Sequence, residues 1–463
     1  LARLQDAREA PAFSPWVSFA EVMGRGGFDL ILMNPPWVRL HNVPAPTRER
    51  LKRRYTVLRA GAWTADGMLR ALGGFLTQVD LSACFVERAL ELCADGGALC
   101  LLVPSKLSRA LYGGGVRRLL MSQATPLWLR EVEEGAFEGA ITYPMALLAR
   151  KAPPAPGAAA LVSLGEDDPG RLLALWRLRL EATDLGSPWV LSALERDAPT
   201  GRCVGARLGD HPALEARRGV LTGHNEAFLC AARDPEARAH SLPLLRGADV
   251  RAWRQEPSDR VWWPHGRDGA AAPLPALPPT LEAALAPHQR ALAARGGLRR
   301  RDPWWRLLRT GAHLLGPKVA WRDIGTRLEA VAIAEASVGE EPVVALNTVY
   351  FIPTRDRQEA LALAAWMNSG PVRALAARLC ERARGGHLRF FAWVIALLPL
   401  PPVLALALRD AEGWASALKA SAALRELVAL SDALHRARGA TEAQQERLDA
   451  LVMALYAHPE PRP

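Results

Sequence analysis

Asn34-Pro35-Pro36-Trp37 is the stretch of this sequence best equipped for chemistry. Proline fixes φ and removes a backbone donor, so two in a row stiffen a turn and leave the carbonyls around it pointing outward. An amide oxygen and a backbone carbonyl held side by side can each accept one hydrogen of an amino group. The neighbouring indole offers a flat face for stacking. The chemistry this suggests is a grip on a planar partner that carries an amine, and a nucleobase drawn out of a duplex has that shape. The same residues are also common loop punctuation, so a plain strand-ending turn stays open at this point.

An element has to deliver that turn. Phe28-Asp29-Leu30-Ile31-Leu32-Met33 is a short apolar run that predicts a fully buried strand. The glycine cluster before it, Gly24 to Gly27, does not open a helix, so it is a turn and not a phosphate cradle. Residues 40–78 are basic and read as an irregular loop over a binding face. Leu81, Phe85, Ala89 and Leu92 recur at helical spacing, and Asp95-Gly96-Gly97 predicts a tight turn closing that helix. A second buried strand is expected from Ala98 to Val103, then a helix near 116–122 and strands near 127–133 and 141–149. Such alternation predicts an α/β sheet, and ligands of such sheets bind at the carboxyl ends of the strands. Asn34 and Ser105 both fall at those ends. The Pro/Ala stretch from Lys151 to Gly157 predicts a first domain boundary, and 171–196 reads as helical. Beyond 200 the pattern becomes short strands separated by Gly, Pro and Asp. Helices are expected at 359–367 and 371–381, and a helical hairpin over about 405–457, turned near Gly439 with Thr441 as N-cap.

The 463 residues exceed what one core usually supports, and half are hydrophobic with 23% charged, which excludes a disordered or fibrous chain. No apolar run approaches a membrane span, no basic-then-apolar leader is present, and no membrane partner is expected. The chain begins with Leu1, so an upstream portion is expected. The formal charge is +10 and is carried almost wholly by arginine, which grips phosphate in a bidentate fork. An arginine-rich compositional bias of a GC-rich bacterial genome explains the same number. Six cysteines form no CxxC pair and no metal-ligand spacing; they read as core residues of a bacterial cytoplasmic protein, and no metal is expected.

With its flanks, the turn resembles motif IV of the DNA amino-methyltransferases, and more narrowly the type IIG-like, Eco57I-like adenine-N6 enzymes. Trp16 and Phe19 resemble the approach to that motif. Asp80 to Glu87, then Asp95-Gly96-Gly97 to Ser105, resemble the helix and strand after it. The later half resembles a TaqI-like specificity domain through Gly219 to Phe228, Leu245 to Asp249, Pro317-Lys318, Asn347-Thr348, Asn368-Ser369, Gly385-Gly386, Leu398 to Pro401 and Leu448 to Tyr456. The resemblance implies the second half of a class I methyltransferase sheet in 1–152, a linker and helix in 153–200, an α+β target-recognition domain in 201–404 and a helical region in 405–463. It implies transfer of a methyl group from S-adenosylmethionine to adenine N6 of a flipped base in double-stranded DNA, within a restriction-modification or phage-defence system. Asn34, Pro35, Pro36 and Trp37 would hold the base, and Trp37 and Phe137 would stack on it. Thr222, Asn225, Arg246, Lys318, Arg322, Arg384 and His387 are the candidates for DNA contact; Thr222 and Asn225, with Glu226, could equally fasten a turn.

Nothing in the sequence resembles the Gly-rich loop that holds S-adenosylmethionine in that family, so no cofactor-binding residue is assigned. The expectation is half of an active site, completed by an upstream segment or a second chain. A cytosine-N4 enzyme, or a DNA-recognition subunit without turnover of its own, remains alternative to the adenine reading.

Overall fold

The computed structural model describes residues 13–64, 79–132, 143–163, 170–178, 183–189, 206–230, 235–266, 272–334 and 341–457. The chain divides into two units, 1–192 and 193–463.

The first unit is built on a six-stranded sheet: β1 (Phe28–Met33), β2 (Cys93–Pro104), β3 (Thr125–Glu131), β4 (Pro144–Arg150), β5 (Ala159–Ser163) and β6 (Arg171–Ala174), in the order β1-β2-β4-β3-β5-β6. β1 runs parallel to β2 and β3 parallel to β5, while β4 is inserted antiparallel between β2 and β3. Leu99, Leu101 and Val103 alternate inward along β2 and are fully buried, the period-2 pattern of a strand with one covered face. The cover is Val86, Ala89 and Leu90 of the helix Ser82–Leu92, with Val116 and Leu120 of the helix Gly114–Gln123.

Several expectations fail here, each for a physical reason. β1 is not fully buried: it is an edge strand whose only partner among the described residues is β2, and Leu30 and Leu32 are 60% and 79% exposed. An apolar run reports what could be covered, not whether the cover is present. Asp95-Gly96-Gly97 does not cap the helix; it lies inside the long β2, where the register slips between Phe28↔Cys93 and Leu30↔Ala98 as a bulge. The basic stretch after the turn is not wholly irregular, since Ala45–Arg54 is a helix. Lys151 to Gly157 ends no structural unit. It carries the chain from β4 to β5 of the same sheet, and Lys151 still exchanges backbone hydrogen bonds with Gly96 and Gly97 (2.7 and 2.8 Å). Residues 171–178 form β6 and a 3-10 turn in place of a helix.

Two loops are fixed to this sheet by specific contacts. Glu87, buried on its helix, accepts hydrogen bonds from the Thr56 amide, the Thr56 hydroxyl and the Val57 amide, all at 2.9 Å. Gly114 and Gly115 sit under the same loop: a Cβ on Gly114 would stand 2.5 Å from the Trp63 nitrogen, and one on Gly115 2.5 Å from the Val57 oxygen. Arg117, fully buried, spends its guanidinium on the carbonyls of Gly186 (2.9 Å), Leu107 (2.7 Å) and Ala110 (2.9 Å).

Among its described residues the second unit holds two four-stranded sheets, a three-stranded sheet and a two-stranded ribbon. The first holds Val344–Ala345, Ser241–Leu245, Asp259–Trp262 and Leu229–Cys230; the second holds Ala330–Ile333, Lys318–Arg322, Val349–Pro353 and Arg217–Arg218. Against the second lies the helix Arg357–Asn368, which also carries the helix Ala422–Ala437. The expected tail hairpin exists as Ala422–Ala437 and Glu442–Ala457, preceded by two shorter helices, Pro402–Ala407 and Ala411–Ala420. Arg438 (φ 59°), not Gly439, takes the left-handed position at its turn. Thr441 caps the last helix as expected: the Gln444 amide donates to its hydroxyl and Gln444 returns its side-chain oxygen to the Thr441 amide. The tail is packed into its unit, because the Tyr456 hydroxyl accepts from Trp366 Nε1 (3.0 Å) and donates to the Pro399 carbonyl (2.5 Å).

Candidate functional site

β1 delivers Asn34 to the carboxyl edge of the sheet, beside the end of β2. Beyond the turn the chain folds back at once: Leu40 N–H donates to Val79 O and Leu81 N–H to Val38 O, both at 2.8 Å, in an antiparallel bridge of Arg39 with Asp80. Asn34-Pro35-Pro36-Trp37 is thereby clamped between a strand and a bridge. Pro35 is buried, Trp37 half-buried, and Asn34 and Pro36 are exposed. Strand, bridge and prolines remove most of the freedom of the turn and leave Asn34 exposed.

Asp80 lies beside the turn but is occupied. Its carboxylate takes the Ser82 amide (2.8 Å) and hydroxyl, which starts the helix Ser82–Leu92. Burial pushes its carboxyl above the usual range, opposed by the Ser82 hydrogen bonds and the charges of Lys106 and Arg39. Ser105 donates its amide to Tyr143 O (2.8 Å) and opens a one-turn helix. Both act as local fasteners. Phe137 lies outside the described residues; the residues flanking that stretch, Val132 and Tyr143, stand at the same carboxyl edge, with Val132 N–H bonded to Pro144 O (2.9 Å).

The seven candidates for DNA contact are not one cluster. Thr222 is buried and its hydroxyl donates to Asn225 Oδ1 (2.6 Å), while Arg295 holds the Thr222 carbonyl and covers the Phe228 ring. This is a fastened turn with Asn225 on its surface. Lys318 is withdrawn from any partner outside the chain: it is fully buried, and its Nζ donates to Leu314 O (2.9 Å) and Gly316 O (2.6 Å). Burial pushes its pKa down to about 7. Arg246 pairs with Asp259 (2.8 Å) and Arg322 with Glu329. Gly247, next to Arg246, donates its N–H to the Thr348 hydroxyl (3.0 Å), and a Cβ on it would stand 3.6 Å from Arg322 Cβ. Arg384 is exposed at the tip of the hairpin Glu381–Ala383/His387–Arg389, and His387 Nδ1 lies 2.9 Å from Gly385 O.

Sequence reasoning missed a second group of arginines, 251, 254, 327, 373 and 438, which line one cleft. They are spread over nearly two hundred positions and share no spacing, so no local pattern could have found them. Among the described residues no group of acidic, histidine or cysteine side chains could hold a metal ion. No helix among them is long and apolar enough to cross a membrane.

Residues 3–136, which contain this turn and its clamp, match the family described as Eco57I restriction-modification methylase. The type II methyltransferase M.PaeR7I of Pseudomonas aeruginosa is 25% identical over 404 residues, taking in 81% of this chain and 65% of that protein. M.XhoI of Xanthomonas vasicola is 24% identical over 406 residues, 81% of this chain and 68% of that one. The type IIL restriction-modification enzyme MmeI, solved in complex with DNA, superposes with a TM-score of 0.56 at 11% identity, over 97% of this chain and 57% of that one. The first part of this chain is thus Eco57I-like, and its mixed α/β fold of several sheets is similar to that of restriction-modification enzymes. The chain spans about two thirds of the length of the curated relatives it matches.

Proposed function

We propose that this chain is the target-holding and DNA-reading part of a restriction-modification DNA methyltransferase acting on adenine N6. The observation that carries the reading is the exposed Asn34 amide on a clamped Asn-Pro-Pro-Trp turn at the carboxyl edge of an Eco57I-like segment. An exocyclic amine is a poor nucleophile because its lone pair is delocalised into the ring. Asn34 Oδ1 and the Pro35 carbonyl would each accept one of its hydrogens, which localises that pair and aims it. Trp37 would stack on the flipped base, at about 1–3 kcal/mol for one partner, and Phe137 is proposed for the opposite face. The contribution of this chain is then positioning and electrostatics, with no general base required.

S-adenosylmethionine would supply the methyl group, yet the described residues do not fit it. Among the described residues the glycine run that opens a helix, Gly113 to Gly115, is filled: a Cβ on Gly113 would meet Arg117 and the Leu107 carbonyl, one on Gly114 the Trp63 backbone and one on Gly115 the Val57 backbone, which leaves no room for a ligand. No step is therefore routed through the cofactor here. A second chain or a further segment would hold it, and the edge and face of β1 left uncovered among the described residues are the natural place for such a part to join.

The test is methyl transfer into duplex DNA by the complete enzyme, with digestion of the product to separate N6-methyladenine from N4-methylcytosine. Asn34→Ala should lower the rate at least about a hundredfold, as loss of one preorganised polar partner does, with duplex binding retained. An unchanged rate ends this reading of the turn, and N4-methylcytosine would reassign the target.

A further inference from the structure

The second unit contains a cleft of about 560 Å3 bordered by Arg251, Arg254, Arg327, Arg373 and Arg438. Four separate pieces of the chain bring these together: the hairpin Val250–Arg251/Arg254–Gln255, the turn before strand Ala330–Ile333, the helix Gly370–Leu379, and the turn between the last two helices.

The hairpin is set with unusual care. Its tip residue Trp253 has φ 68°, a left-handed backbone that a bulky side chain keeps only where its surroundings over-determine it. Here the buried indole meets the His435 ring edge-on at 5.3 Å, and the Trp253 amide donates to Ala330 O (3.2 Å). The plug fixes the arginines on either side of the tip against the cleft.

Charge in the cleft is not balanced. Of the two carboxylates that line it, Glu329 is already shared by Arg322 and Arg327. Arg438 pairs with Glu256. Among the described residues Arg251 donates to the carbonyls of Ala248 and Val250 (both 2.8 Å), and Arg373 to Leu328 O (2.9 Å) and Asn368 Oδ1 (3.0 Å). Among the described residues the Arg254 guanidinium has no side-chain partner. Burial, with the like charge of Arg327, pulls Arg373 down to about 10. Thr441, Gln445 and the second carboxylate, Glu442, line the amino end of the helix Glu442–Ala457, where the positive helix dipole partly offsets the Glu442 charge. A protein partner would need an apolar anchor that this polar lining does not offer.

We propose that this cleft binds phosphodiester groups of the DNA backbone. The proposal rests on the reading that duplex DNA is the substrate, and adds where that backbone is held: by guanidinium forks of the second unit that can engage phosphate oxygens in pairs.

The experiment is fluorescence anisotropy of a labelled mixed-sequence duplex with the full chain, from about 50 to 200 mM salt. Arg254→Ala/Arg327→Ala should bind about tenfold or more weakly, with a salt slope shallower by about 1–2 and an unchanged thermal melt. Arg254→Lys/Arg327→Lys should recover the slope but not the full affinity. If the parent chain binds no duplex, the DNA reading fails and takes this proposal with it. If the parent binds and the double alanine variant matches it in affinity and slope, the cleft assignment is overturned while the DNA reading stands. Loss of binding to a free nucleoside monophosphate with duplex affinity intact would equally overturn it, in favour of a small-anion site.

Discussion

Asn368→Ala should destabilise the second unit by about 2.5–6 kcal/mol, summed from the contacts it removes. Asn368 is fully buried at the end of the helix Arg357–Asn368 and treats Ala330 as a strand partner would: Nδ2 donates to Ala330 O (2.8 Å) and Oδ1 accepts from Ala330 N–H (2.9 Å). The same Oδ1 also accepts from Arg373 Nη2 (3.0 Å). Alanine leaves the Ala330 amide buried and unpaired, which costs about 1–3 kcal/mol, and strips a half-sequestered guanidinium of a charged hydrogen bond worth about 1.5–3. The Ala330 carbonyl suffers less, because the Trp253 amide still reaches it (3.2 Å). Set against a typical total of about 5–15 kcal/mol, the loss is a large fraction. Urea unfolding followed by tryptophan fluorescence gives the midpoint, and hydrogen exchange of the peptide containing Ala330 gives the local effect. A midpoint shift worth under about 1 kcal/mol with Ala330 exchange unchanged would refute the assignment of Asn368 as a backbone surrogate.

Lys318 makes a pH prediction of definite sign. Its folded pKa, about 7, lies below the ordinary 10.5, so between these values the unfolded chain binds the extra proton and stability rises with pH. The slope from this one group approaches about 1.4 kcal/mol per pH unit in that window. Urea midpoints from pH 7 to 9.5 should climb in the parent and climb less in Lys318→Met; identical slopes would refute it. Gly115→Ala puts a Cβ 2.5 Å from the Val57 oxygen, on a residue whose amide is held by Glu87, so a loss of about 1–3 kcal/mol is expected in the thermal melt of the first unit.

The first unit was largely legible because its signals are local. The runs 28–33 and 98–103 each spell a strand, and Leu81, Phe85, Ala89 and Leu92 spell the helix between them. What could not be read was the neighbourhood of each run. Leu30 and Leu32 carry no mark that their strand lies at an edge, and Arg171 to Leu178 is apolar enough for a helix yet its first four residues pair with β5. In the second unit the motifs were visible but their purpose was not. Pro317-Lys318 turned out to close a loop from inside, and Asn368-Ser369 to tie a helix to a strand, since conspicuous polar residues serve burial as readily as binding. The arginine cleft was illegible for a different reason: its members meet only after the last two helices have folded back.

That late return has a temporal consequence. Tyr456 joins Trp366 to Pro399 across 90 residues of chain. At about 5–20 residues per second of synthesis, Trp366 waits roughly 5–20 s for its partner, whereas every strand of the sheet in the first unit has been made by residue 174. During translation the Asn34-Pro35-Pro36-Trp37 turn is therefore in place well before the unit carrying the arginine cleft can close.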